Sequence, residues 1–130
     1  MTARVVVVEQ SAAIARSIAE VLTDCGLLVC AIAHDGLSGL DAIKQHAPDV
    51  VTFDLLLPRL GGLPLVDAAR RAGSSARYVA ITAVSSRERV AAARDAGVSY
   101  YILKPIDWDK LRTVAAALVP AEVIHASHTG

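Results

Sequence analysis

The chain has 130 residues, 54% of them hydrophobic and 20% charged, with 13 basic and 13 acidic side chains and therefore no net charge. That is one globular domain's worth of chain, and the balance excludes a disordered segment and gives no overall basic surface for nucleic acid or an anionic membrane. No apolar run approaches the roughly 18 residues of a membrane span, and the N-terminal "MTARVVVVEQ" lacks the form of a signal peptide, so a cytoplasmic protein is expected.

Strand-length apolar runs alternate with helical patterns from one end to the other. Arg4–Val8 is a β-branched run. It is followed by a helix over Ala12–Cys25 with Ile14, Ile18, Val21, Leu22 and Cys25 at helical spacing, ended by Gly26. Leu28–Ala33 reads as the second strand. Asp35 is placed to cap a helix over Gly36–His46, with Leu37, Leu40 and Ile43 on its inner face. Cys25 and Cys30 read as small apolar residues, because two cysteines do not make a disulfide framework.

Val50–Asp54 is the third strand, with Pro64 in the first turn of a helix running to about Arg71. Tyr78–Thr82 is the fourth. Ser85 and Glu88 have the spacing of a capping box for a helix to Ala96, which Gly97 ends. Tyr100–Leu103 is the fifth strand, and Asp107 caps a last helix with Leu111, Val114, Ala115 and Leu118 inward. From Pro120 the pattern is lost, and His125 and His128 read as part of a tail or linker.

Five β-then-α units with near-continuous apolar strands predict an α/β protein: a flavodoxin-like, doubly wound, five-stranded parallel sheet of order 2-1-3-4-5 with helices on both faces. In such a sheet ligands bind beyond the carboxyl ends of the strands. The first strand delivers Glu9 and Gln10 there, the third Asp54, the fourth Thr82, and the fifth Lys104 followed by Pro105. Alone, each is ordinarily a cap, a turn hydroxyl or a solvated side chain. Together they make an acidic cation site with a nucleophile, a hydroxyl donor and an ammonium. A flavin or nucleotide protein of the same fold is disfavoured, because the loop "EQSAAIA" has no glycine and so neither a P-loop nor a dinucleotide fingerprint.

The stretches "VVVVEQS", "DVVTFDLLLPRLGG", "AITAVSS" and "GVSYYILKPID" resemble the landmarks of response-regulator receiver domains of bacterial two-component signalling, over about Arg4 to Val119. The resemblance implies a receiver domain over 1–119 with a tail or linker over 120–130, and a regulated phosphoprotein rather than a turnover enzyme. It implies Asp54 as phospho-acceptor, Lys104 and Thr82 as its catalytic companions, and Mg²⁺ held by Glu9, Gln10, Asp54 and the backbone carbonyl of Leu56. It implies Thr82 and Tyr101 as a switch pair. A sensor histidine kinase or phosphotransfer protein would be the phosphoryl donor. A downstream protein or a second copy would meet the face of the fourth helix, fifth strand and fifth helix, with neither nucleic acid nor membrane bound directly.

Five positions depart from the family's pattern. Gln10 stands where a second acid usually follows the first strand, which predicts weakened metal binding and supports an alternative, a pseudo-receiver that binds partners without phosphorylation. Leu56 and Val84 are apolar where polar residues are frequent, which predicts slow loss of phosphate. Ser99 and Tyr100 replace an acidic pair used in one branch's dimers, which puts that particular dimer in doubt.

Overall fold

A computed structural model describes residues 2–120, and His125 and His128 lie outside them. The chain order is β1 (Arg4–Val8), α1 (Ala12–Asp24), β2 (Leu28–Ala33), α2 (Gly36–His46), β3 (Val50–Phe53), α3 (Gly62–Arg71), β4 (Arg77–Thr82), α4 (Arg87–Asp95), β5 (Tyr100–Leu103) and α5 (Trp108–Leu118). All pairings are parallel and the sheet order is β2-β1-β3-β4-β5, as the alternation of apolar strands and helices predicts.

The central strands β1, β3 and β4 are apolar at nearly every position because both faces are covered. Val5, Val7, Val50, Val79, Ile81 and Ile102 face α1 and α5, meeting Ile18, Leu22, Leu111 and Val114. Val6, Val8, Val51, Phe53, Tyr78 and Ala80 face the other way, onto Ile43 of α2 and Leu65, Val66 and Ala69 of α3. The buried strand side chains make the sheet one slab shared by two cores, the usual basis of a doubly wound fold.

Local signals set most boundaries. Ser11 caps α1 by accepting the Ile14 N–H, Asp35 caps α2 by accepting the Ser38 N–H, and Asp107 accepts from both Asp109 and Lys110 at the start of α5. Gly26 follows α1 with φ +95°, a left-handed conformation that glycine adopts without steric cost.

Several expectations need correction. The cap of α4 is Ser86, whose side chain accepts from Arg89 N–H at 3.3 Å, so the Ser85–Glu88 box does not form. Leu37, expected inside, is exposed; α2 buries Gly36, Gly39 and Ile43 instead. The first helix ends at Asp24, one residue before Cys25, and β3 ends at Phe53, one before Asp54. Cys25 and Cys30 are free thiols and only half-buried. No helix among the described residues is long and apolar enough to cross a membrane.

Candidate functional site

The carboxyl ends of the strands bring the charged residues together. Glu9 follows β1 and is held there by its own N–H to the Ala33 carbonyl at 2.9 Å, while its carbonyl accepts from the His34 ring at 2.9 Å. Asp54 follows β3, its N–H still reaching the Val8 carbonyl at 3.3 Å. Lys104 follows β5, with its N–H on the Thr82 carbonyl at 2.9 Å, and the Lys104–Pro105 bond is cis.

These three side chains meet. The Lys104 ammonium donates to Glu9 Oε1 at 2.6 Å and to Asp54 Oδ2 at 2.7 Å. The two acids are 3% and 7% exposed, so both carboxylates are largely desolvated. The remaining oxygens are also partnered: Ser11 N–H donates to Glu9 Oε2 at 2.9 Å, and Leu56 N–H donates to Asp54 Oδ1 at 3.0 Å. Burial alone would pull the Lys104 pKa down. The hydrogen bonds and charges of Asp54 and Glu9 outweigh that and hold it above the ordinary lysine value.

Gly62 explains part of the local precision. A Cβ there would lie 2.3 Å from the Asp54 carbonyl oxygen and 2.7 Å from Leu55 Cα, so α3 approaches the acid's backbone as closely as it does only without a side chain.

A second group lies beside the first. Thr82, fully buried at the end of β4, accepts the Val84 N–H at 3.3 Å, and the Tyr101 hydroxyl donates to the Val84 carbonyl at 2.6 Å. Burial raises the Tyr101 pKa, Arg89 opposes the rise and Asp54 adds to it. Leu56 is exposed at the lip of the site, and Val84 is half-buried.

The sequence therefore assembled Glu9, Asp54, Lys104, Thr82 and Tyr101 in one region. Gln10 is exposed, and the hydrogen bonds that join Glu9, Asp54 and Lys104 do not include it. Ser11 and His34 were missed as site neighbours. Ser11 carried a signal, since a serine before an apolar helix is an N-cap whose backbone N–H groups face the preceding loop. His34 carried none.

The donor set suits a small hard cation: two carboxylates whose oxygens converge on a single ammonium within 2.7 Å. Among the described residues no third acid, histidine or cysteine joins them.

A parallel 2-1-3-4-5 sheet carrying an acid pair and a lysine at its carboxyl edge defines an α/β domain of the flavodoxin-like class. The chain belongs to the response regulator receiver domain family, which it matches over residues 5–116. It is 33% identical to the chemotaxis protein CheY of Treponema pallidum over 118 residues, covering 88% of this chain and 82% of that protein. It is 33% identical to the response regulator MprA of Mycobacterium bovis over 119 residues, covering 92% of this chain but only 51% of MprA. Among solved structures, the REC domain of AraT from Geobacillus stearothermophilus superposes with a TM-score of 0.82 at 28% identity, covering 98% of this chain and 99% of that one. The CheX–CheY–BeF3–Mg complex of Borrelia burgdorferi matches with a TM-score of 0.82 at 25% identity, covering 90% of each chain.

Proposed function

We propose that this receiver domain accepts a phosphoryl group on Asp54. The observation that carries the reading is the Lys104 ammonium, 2.7 Å from Asp54 and 2.6 Å from Glu9 in a largely buried acid pair. An Asp54 carboxylate oxygen attacks phosphorus, forming the P–O bond of an acyl phosphate. The bond from phosphorus to the donor nitrogen of a phosphohistidine, or to the acyl oxygen of a small donor, breaks, and its electron pair leaves with the donor. Such a transfer asks for positioning and charge neutralisation more than for covalent assistance. Lys104 is placed to neutralise a phosphoryl oxygen. The Thr82 hydroxyl already accepts the Val84 N–H and keeps its proton free to donate to another.

Magnesium, held by Glu9, Asp54 and the Leu56 carbonyl with Gln10 alongside, would supply further neutralisation of the phosphoryl charge. Gln10 contributes no charge, and its neutrality weakens the site. The domain is read as spanning 1–119, with 120–130 as tail or linker, in the cytoplasm.

The signal would leave through Thr82 and Tyr101, biasing a pre-existing equilibrium toward one packing of the β4–α4 loop. The output face is that of α4, β5 and α5. A cavity of about 210 Å³ lies there, lined by Val90, Arg94, Val98, Tyr100 and Tyr101 among others. The donor is a histidine kinase or phosphotransfer protein, and the receiver of the signal is a downstream protein or a second copy.

The second reading, a pseudo-receiver, is favoured by one observation: each of the four carboxylate oxygens of Glu9 and Asp54 has a donor from the protein itself. Intact mass after incubation with acetyl phosphate and Mg²⁺ separates the two. A phosphoryl adduct on the parent that Asp54→Asn lacks is expected. Absence of the adduct at high magnesium, with Gln10→Asp also unmodified, would leave the pseudo-receiver.

A further inference from the structure

The two ends of α4 are held in different ways. At its N-terminal end the restraints are the two bonds that tie Val84 to Thr82 and to Tyr101. At the other end three restraints converge on Gly97–Ser99. The Arg70 guanidinium donates to the Gly97 carbonyl at 3.0 Å, the Val98 N–H donates to the Ala93 carbonyl at 3.0 Å, and the Ser99 N–H reaches the Tyr78 carbonyl of β4 at 2.8 Å. Along the helix itself only Ala93 is buried.

Arg70 suits this place for several reasons. It lies in the last turn of α3, where a positive charge meets the negative end of the helix dipole. From there it reaches the carbonyl of Gly97, two residues past the end of α4, so one cation stands at the negative ends of two helices. The same guanidinium lies over the ring of Tyr78, 5.2 Å from its centroid. Tyr78 is fully buried, and its hydroxyl is hydrogen-bonded to Ser74 at 2.7 Å, so the ring is a fixed platform. A planar fork stacked on such a platform loses little further freedom when it bonds Gly97. Gly97 completes the fit. Its φ is +85°, and a Cβ there would lie 3.0 Å from both terminal nitrogens of Arg70, so the guanidinium fills the space that a side chain would take.

We infer that Arg70 is the pivot of α4: it pins the C-terminal end of the helix to α3 and β4, so that α4 moves by swinging its N-terminal end about Gly97 and not by shifting as a whole. A displacement that starts in the β4–α4 loop becomes a rotation of the helix. The cavity between α4 and β5 then opens from one end, with Val90 on its moving wall and Val98 and Tyr100 on its fixed one. Arg70 acts here as a positioning residue, far from the acid pair at the opposite end of the strands. The pivot is a property of the unmodified domain and holds whether or not Asp54 accepts a phosphoryl group.

Amide hydrogen exchange of the full chain, read residue by residue by NMR, tests it without any activity readout. In the parent, Val98 and Ser99 are expected to exchange more slowly than Val90, Ala91 and Ala92. Arg70→Met is expected to speed exchange at Val98 and Ser99 about tenfold, the order expected for losing one hydrogen bond and one exposed cation–π contact together. Exchange at Val90, Ala91 and Ala92 is expected to stay as in the parent, because a swing about Gly97 leaves the Arg70 contacts unbroken. Arg70→Lys keeps the charge without the fork and is expected to recover only part of the protection.

Two results in Arg70→Met overturn the inference. Unchanged exchange at Val98 and Ser99 would mean that Arg70 does not hold this end of the helix. Equal acceleration from Val90 to Ser99 would mean that opening the N-terminal end already breaks the Arg70 contacts, so that the helix moves as a whole. Should Arg70→Met fail to fold, the parent itself decides: equal protection from Val90 to Ser99 overturns the pivot.

Discussion

The Tyr101 hydroxyl donates to the Val84 carbonyl at 2.6 Å, and the Val84 N–H in turn donates to the Thr82 hydroxyl at 3.3 Å. One residue of the β4–α4 loop is thus held on one side by the strand that ends beside Asp54 and on the other by β5. The loop cannot leave this position without breaking one of the two bonds. Tyr101→Phe removes the Val84 carbonyl's donor while leaving the ring. It is expected to cost about 1 kcal/mol of stability, the usual net worth of a partly buried hydrogen bond. Amide exchange at Val84–Ser86 is expected to speed up, with uptake of phosphate from acetyl phosphate little changed. Unaltered exchange in that loop would show that the hydroxyl does not hold it.

The helix beyond that loop is the least anchored one. Ala93 is the only buried residue of α4, whereas α1, α3 and α5 each bury four. Few buried apolar contacts mean a low free energy of local opening. Hydrogen exchange followed residue by residue is expected to reach α4 before any other helix, and Ala93→Gly to accelerate it further. Protection in α4 equal to that in α1 would contradict this.

Much of this arrangement is legible in the sequence, because it is carried by residues whose chemistry is loud. Five apolar strands, their helices and the strand-end Glu9, Asp54, Thr82 and Lys104 follow from periodicity and capping alone. What escapes has a common cause: contacts made by small or duplicated residues. In α2 the buried stripe is Gly36, Gly39 and Ile43, because glycines let the helix approach Leu60 and Val8, so the leucine pattern pointed Leu37 the wrong way. In "AVSSRE" two adjacent serines both suit a cap, and the loop geometry set by Thr82 and Tyr101 selects Ser86 over Ser85. The shared ammonium of Lys104 is legible only as proximity; its division between Glu9 and Asp54 needs coordinates.

Thr52 presents the opposite case, a polar atom with nothing to do. Its hydroxyl is buried in the middle of β3, between Val7 and Val79, with no hydrogen-bond partner. Desolvating a hydroxyl without compensation is unfavourable. Thr52→Val, of nearly the same shape, is expected to stabilise the domain by about 1 kcal/mol in denaturant titrations. A destabilisation of that size would show that the hydroxyl has a partner such as an internal water.

Alkaline pH tests the ion pairs from another side. The Lys104 pKa is raised above its ordinary value of 10.5 by Asp54 and Glu9, which outweigh burial. A folded-state pKa above the unfolded one means that folding binds the proton more tightly. Its contribution to stability is therefore whole below pH 10.5 and is lost as pH rises through the higher folded value. The hydroxyls of buried Tyr78 and half-buried Tyr101, raised above 10.0 mainly by desolvation, act in the same direction. Lys104→Met is expected to be less stable than the parent at pH 8, with the gap closing as pH climbs past the lysine range. A gap that stays constant would show that the ammonium contributes nothing beyond packing.

A phosphoryl group on Asp54, once accepted as proposed, would be lost slowly. Leu56 donates its backbone N–H to Asp54 and leaves an apolar side chain exposed at the lip, and Val84 is the half-buried apolar residue two after Thr82. Hydrolysis of an acyl phosphate needs a water aligned for attack, and neither side chain offers it a hydrogen bond. A polar group at either position would orient such a water. Leu56→Asn is expected to speed dephosphorylation by about tenfold, corresponding to ~1.4 kcal/mol of barrier. Val84→Gln is expected to act in the same direction. Because the Leu56 N–H belongs to the backbone, the Asn variant keeps the bond to Asp54 Oδ1, so its rate of phosphorylation is expected to be nearly unchanged. Decay of the phosphorylated mass in a chase without donor measures both variants. Equal half-lives in parent and variants would mean that water reaches the phosphorus by a path these side chains do not control.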